Sequence, residues 1–251
     1  MGCIYNRKYG HLLMIGGIKM TLDDVVYTVG NIIFESSNAE DIFNKSLEYG
    51  EKYFSDRQNN VNYGTVCLNG VYAAFMKGYE TKKVCEIICS LLNEGIEFMT
   101  SDEGREDNLK NAIAQYGVEK FNSAECADVL YFSYTNGTRG YIKENPEKAR
   151  KCLEKAAVLG KAESQSFLGY QLYQEGKVYD AEHWFLEAAK QGDVQAMYNV
   201  AGLYESRFFY EWDKAGYWFA EAAARGDAQA EAILRNYYSY NNRKQKWTKR
   251  M

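Results

Sequence analysis

Proline is almost missing from this chain: Pro146 is the only one among 251 residues. Few fixed-φ positions favour long uninterrupted helices and few rigid loops. Histidine is nearly as scarce, with only His11 and His183. A metal site at Cys85 and Cys89, one helical turn apart, would need further ligands, so those thiols read as core. Long apolar runs are absent too. Residues 12–18 (LLMIGGI) are too short to span a membrane, and no small-residue cleavage site follows them. With no signal peptide ahead of them, the six cysteines read as reduced and the compartment as cytoplasmic. No phosphate-binding loop, no H-E-x-x-H, no paired C-x-x-C and no nucleophile elbow occurs. No catalytic residue, no metal and no cofactor is therefore expected. His183 reads as a surface or partly packed helix residue, and the acidic run at Asp102, Glu103, Glu106 and Asp107 lacks calcium-loop spacing. Met1-Gly2-Cys3 resembles an acylation start, but Asn6 stands where serine or threonine is wanted.

Apolar residues make up 46% of the chain, enough for a sizeable core, and there are 22 tyrosines. Tyrosine combines apolar area with a polar tip, which suits half-buried helix faces and interaction surfaces. The net charge of −4 is uneven. Arg243, Lys244, Lys246, Lys249 and Arg250 carry +5, which leaves −9 on residues 1–242. The body repels nucleic acid and anionic membranes, and only the basic tail would attract them.

The strongest signal is internal repetition. Lys155-Ala-Ala-Val-Leu-Gly160, Glu187-Ala-Ala-Lys-Gln-Gly192 and Glu221-Ala-Ala-Ala-Arg-Gly226 end alike, with glycines 32 and 34 residues apart. A second anchor keeps step: Leu130, Leu168, Val200 and Leu234 are separated by 38, 32 and 34 residues. Each unit reads as two helices. In helix A, Ala196, Tyr198, Val200, Ala201 and Tyr204 recur at helical spacing. In helix B, Ala181, Trp184, Phe185, Ala188 and Ala189 form one stripe, as do Ala215, Trp218, Phe219, Ala222 and Ala223. Gly160, Gly192 and Gly226 stand where a left-handed C-terminal residue is wanted. Asp193 and Asp227 suit the next helix start, and Pro146 after Asn145 marks another. One such hairpin cannot bury both its faces, so the units come in series. Residues 228–240 supply a last helix A, with Arg235 and Asn236 turned to water.

These units resemble the Sel-one-like repeat, a relative of the tetratricopeptide repeat. Ala196-Met-Tyr-Asn-Val-Ala-Gly-Leu-Tyr204 and Leu168-Gly169 match its helix A. Ala181-Glu-His-Trp-Phe-Leu-Glu-Ala-Ala-Lys-Gln-Gly192 matches its helix B. Residues 124–238 are covered, with Tyr131 and Cys152 as departures. The resemblance implies an all-α, right-handed α-α superhelix used for protein–protein contacts, with A helices on the concave face. Cys126 and Cys152 do not reproduce the disulfide spacing of secreted relatives.

The N-terminal half reads as degenerate helical repeats over 21–123, followed by the repeats and terminal capping helix over 124–240 and the tail over 241–251. Thr21-Leu-Asp-Asp24 and Ser37-Asn-Ala-Glu40 resemble capping boxes. Tyr72, Phe75 and Gly78 align with Tyr170, Tyr173 and Gly176 as a degenerate helix A. Ser101–Asp107 reads as a polar joint. Residues 1–20 fit either a short hairpin or a loosely attached leader.

From the register marks, helical spacing directs Asp128, Phe132, Ser166, Tyr170, Tyr173, Tyr198, Glu205 and Asn236 towards the groove. Rigid aromatics among polar groups suit a peptide or helix of a protein partner. Tyr170 and Tyr198 would equally serve packing between repeats. The alternatives are a nucleic-acid or membrane contact through the tail, and a hydrolase in the N-terminal half.

Overall fold

The computed structural model describes residues 28–33, 38–57, 61–94, 96, 103–137, 143–206, 210–241, 244 and 246–249. For 13–15, 18–20, 61 and 103–108 it describes the backbone alone. The proposed caps at Thr21–Asp24 and the Met1–Asn6 start lie outside the described residues. The chain divides into two compact units, 1–149 and 150–251. Among the described residues no helix is long and apolar enough to cross a membrane.

In the first unit, β1 (Leu13–Ile15) and β2 (Ile18–Met20) pair antiparallel with Ile15 opposite Ile18. Residues 28–33 are helical, and five longer helices follow among the described residues: α1 (Ala39–Ser55), α2 (Val61–Met76), α3 (Lys82–Asn93), α4 (Glu103–Phe121) and α5 (Ala124–Asn136). Asn38 caps α1, its Oδ1 accepting from the Glu40 N–H at 2.7 Å, one residue later than the Ser37 box predicted. Helices α1 and α2 pack closely because Gly50 faces Cys67 and Gly70 faces Ser46. Their cores, including Ile42, Val66, Leu68 and Val71, are wholly buried. α2 ends as the alignment of Gly78 with Gly176 predicted. Gly78 has φ +92°, its N–H reaches Phe75 O, and the Tyr79 N–H reaches Ala74 O. The polar stretch 101–107 is not a loop throughout, because the backbone is helical from Glu103. Acidic residues there suit the positive end of a helix. Cys85, Cys89 and Cys126 are buried free thiols, with Cys89 Sγ 3.8 Å from Cys126 Sγ.

α6 (Pro146–Val158) crosses the division between the units, with Pro146 as its first residue. The second unit continues with α7 (Ala162–Gln174), α8 (Val178–Lys190), α9 (Val194–Glu205), α10 (Trp212–Ala224) and α11 (Ala228–Tyr237). It closes with the antiparallel pair β3 (Tyr238–Asn241) and β4 (Lys246–Lys249). α7 packs on α8, α8 on α9, α9 on α10 and α10 on α11. The B-helix stripes are buried at Ala181, Phe185, Ala188, Ala189, Ala215, Phe219 and Ala222. The three repeated glycines terminate α6, α8 and α10 identically. After α8, the Gly192 N–H bonds Ala189 O at 3.0 Å and the Asp193 N–H bonds Ala188 O at 3.2 Å. Asp193 Oδ1 then caps α9 by accepting from the Ala196 N–H at 2.6 Å. Gly192 has φ +97° with nothing within 4 Å of a Cβ, so Gly192→Ala isolates backbone strain. We expect it to cost about 1–2 kcal/mol in urea denaturation; an unchanged midpoint would refute the left-handed cap.

Polar side chains tie successive helices together where burial would otherwise leave them unsatisfied. Gln165 Nε2 donates to Ala157 O at 3.0 Å, and its Oε1 accepts from Gln191 Nε2 at 2.7 Å. Arg150 donates to Gln171 on α7 and to Glu175, the residue that caps its C-terminus, at 2.9 and 2.8 Å. α11 stops at Tyr237, short of the expected residue 240. Tyr238 turns into strand geometry and buries its side chain against Phe219, with ring centroids 5.8 Å apart.

Candidate partner-binding face

Helix α7 buries one side through Ser164, Gln165, Leu168, Gly169 and Leu172. Gly169 is needed there: a Cβ would lie 2.8 Å from the Phe185 ring. The other side carries Phe167, Tyr170 and Tyr173, which are 45%, 54% and 39% exposed. Successive spacings of three residues put all three on one flank of the helix. The same register continues on α9 and α11. Positions equivalent to Tyr170 are Gly202 and Asn236, both exposed, and the position equivalent to Phe167 is the half-buried Asn199. Gly202 has open space where a side chain would stand. Asn199 Oδ1 accepts from Gln195 Nε2 at 3.3 Å. The face thus has rigid aromatics on α7 and side-chain amides with a bare backbone patch on α9 and α11.

The eight residues expected in the groove are placed unevenly. Tyr170, Tyr173 and Asn236 are exposed on the face just described. Phe132, in the first unit, is 36% exposed. Asp128 and Ser166 are buried, because two residues before the register mark the helix turns inward. Tyr198 occupies the position equivalent to Ser166 and packs edge-on against Phe219, with centroids 5.6 Å apart. Its alternative role in packing between repeats is the one it fills. Glu205 is taken by the tail: Lys249 Nζ lies 2.5 Å away and the Tyr238 hydroxyl donates to it at 3.2 Å. Phe167 and Asn199 were missed, although the residue one before each register mark would have found both. His183 is exposed and stacks edge-on with Trp184.

The basic tail folds onto the second unit through β4. The Trp247 N–H donates to Asp213 Oδ1 at 2.7 Å, and the Lys249 ammonium lies 4.6 Å from the Trp212 ring centroid. Arg243 and Arg250 lie outside the described residues.

No family model and no curated protein matches this sequence. Solved structures do match. A Sel1 repeat protein from Oxalobacter formigenes aligns with TM-score 0.58 and 22% identity, over 75% of this chain and 71% of that one. This chain has the Sel1-repeat fold. A protective antigen present in uropathogenic Escherichia coli strains, displaying an SLR fold, aligns with TM-score 0.55 and 17% identity. That alignment takes in 92% of this chain and 56% of the antigen, so the chain spans little more than half the antigen's length. Likeness at such identities is one of fold: an all-α array of helix hairpins, as the sequence resemblance implied. In Sel1-repeat terms α7, α9 and α11 are A helices, and α6, α8 and α10 are B helices.

Proposed function

We propose that this protein is a non-catalytic interaction scaffold that binds a peptide or helix of a partner protein on its A-helix face. The observation that carries the reading is the row Phe167, Tyr170 and Tyr173, exposed on a helix whose opposite side is fully packed. Large exposed aromatics on a rigid element give anchor energy at little entropic cost, and the neighbouring amides of Asn199 and Asn236 set register. The Sel1-repeat fold supports a protein as the partner. Reduced buried thiols suit a cytoplasmic setting.

The test replaces Phe167, Tyr170 and Tyr173 together with serine. Partners captured from native lysate by the wild type are identified, purified and titrated against both proteins. Affinity should fall about 100-fold, on the order of one or two anchor residues, while the helical circular dichroism stays at wild-type level. A variant that keeps wild-type affinity would remove this face from the reading.

A further inference from the structure

The tail strand β4 is held on α10 by contacts that depend on its sequence. At Gly216 a Cβ would lie 2.3 Å from Trp247 Cβ and 2.5 Å from Trp247 Cγ, so only glycine lets the strand sit this close. The bond from the Trp247 N–H to Asp213 Oδ1, at 2.7 Å, sets the register. Side chains two apart on a strand share a face, and Lys249 uses that geometry. Its ammonium is placed between the Glu205 carboxylate, at 2.5 Å, and the Trp212 ring, at 4.6 Å from the centroid. A carboxylate beside an indole face is a receptor for an ammonium group. The strand's other support is its pairing with β3 over four residues on each side. A two-stranded hairpin of that size is marginal in water, so docking on α10 is what holds β4 in place. Alongside the strand runs an open depression of about 840 Å³, lined by Tyr210, Trp212, Lys214 and Trp247 among others. The tail therefore covers only part of a larger aromatic surface.

We propose that this face of α10, bounded by Glu205 and Trp212, is a docking site for an extended strand carrying an aromatic residue and, two positions later, a lysine. The chain's own tail fills the site in cis, and a partner strand of that chemistry binds by displacing it. The carboxylates of Glu205 and Asp213 make the site select a basic strand over an acidic one. The two readings are tested at different residues, Phe167, Tyr170 and Tyr173 for one and Gly216, Trp247 and Lys249 for the other, so either can fail without the other.

The test uses the full chain and a fluorescein-labelled synthetic peptide with the sequence of residues 238–251, followed by anisotropy. In the variant Trp247→Ser/Lys249→Glu the tail loses its anchor, and its new carboxylate faces Glu205. This variant should bind the peptide at least ten-fold more tightly than the wild type, whose site is filled. Adding Gly216→Ala should abolish that binding, as should replacing the peptide's tryptophan and lysine with serine. The single variant Lys249→Glu changes one exposed tail residue and gives the same reading should the double variant lose helical signal. A folded variant that does not bind the peptide would overturn the proposal, and so would binding indifferent to Gly216→Ala.

Discussion

Phe185→Ala is expected to lower the stability of the second unit by about 3–5 kcal/mol, the usual cost of deleting a buried aromatic ring. Phe185 is 2% exposed, and its ring lies where a Cβ on Gly169 would stand, at 2.8–3.1 Å. The converse change, Gly169→Ala, forces a methyl group into that ring and should cost about 1–3 kcal/mol. The two should not add. With the ring gone, the methyl enters vacated space, so the double variant should recover about 1 kcal/mol or more of the summed loss. Urea denaturation of the four proteins, followed by circular dichroism, measures the cycle. Strict additivity would mean that α7 and α8 do not meet at this point. In an array where each hairpin leans on its neighbours, such a loss spreads to the repeats on either side.

Alkali should unfold the second unit through two tyrosines. Burial, then the bond to the Glu182 carboxylate at 2.7 Å, raises the Tyr204 phenol above its ordinary value of 10.0. Burial, then the nearby Glu205 carboxylate, raises Tyr238 likewise. A folded-state value above the unfolded one means that the fold favours the neutral phenol. The resulting stability is intact below about pH 10 and drains away as the pH climbs towards the folded values. In that window each tyrosine costs about 1.4 kcal/mol per pH unit, about 3 kcal/mol for the pair. Urea midpoints compared at about pH 9 and pH 11 report the slope. Tyr204→Phe/Tyr238→Phe removes both ionisable hydroxyls and should flatten it. If the double variant keeps the wild-type slope, these hydroxyls are as well hydrated in the fold as in the unfolded chain.

The repeat units were legible because their marks are local. Gly160, Gly192 and Gly226 each adopt positive φ and close the same pair of hydrogen bonds whatever lies around them. Asp193 and Asp227 cap the helices that follow, as their position predicts. The face of α7 was legible in part. Helical spacing finds a flank, but counting from Leu168 cannot tell how far the buried arc extends. Ser166 therefore counted as surface and Phe167 did not. Spacing could not choose between groove and packing for Tyr198, nor show that Glu205 meets the tail, for a different reason: their partners, Phe219 and Lys249, lie 21 and 44 residues further along the chain.

The sequence alone determined the helix hairpins of the C-terminal repeats, their register and the ends marked by Gly160, Gly192 and Gly226, because caps, glycines and apolar periodicity act over a few neighbouring residues. Only the tertiary structure decided which aromatics stay in water, and that the basic tail becomes a strand lying on Gly216. Those outcomes depend on shape matching between distant segments, and the spacing of residues along one helix does not record what its other sides will meet.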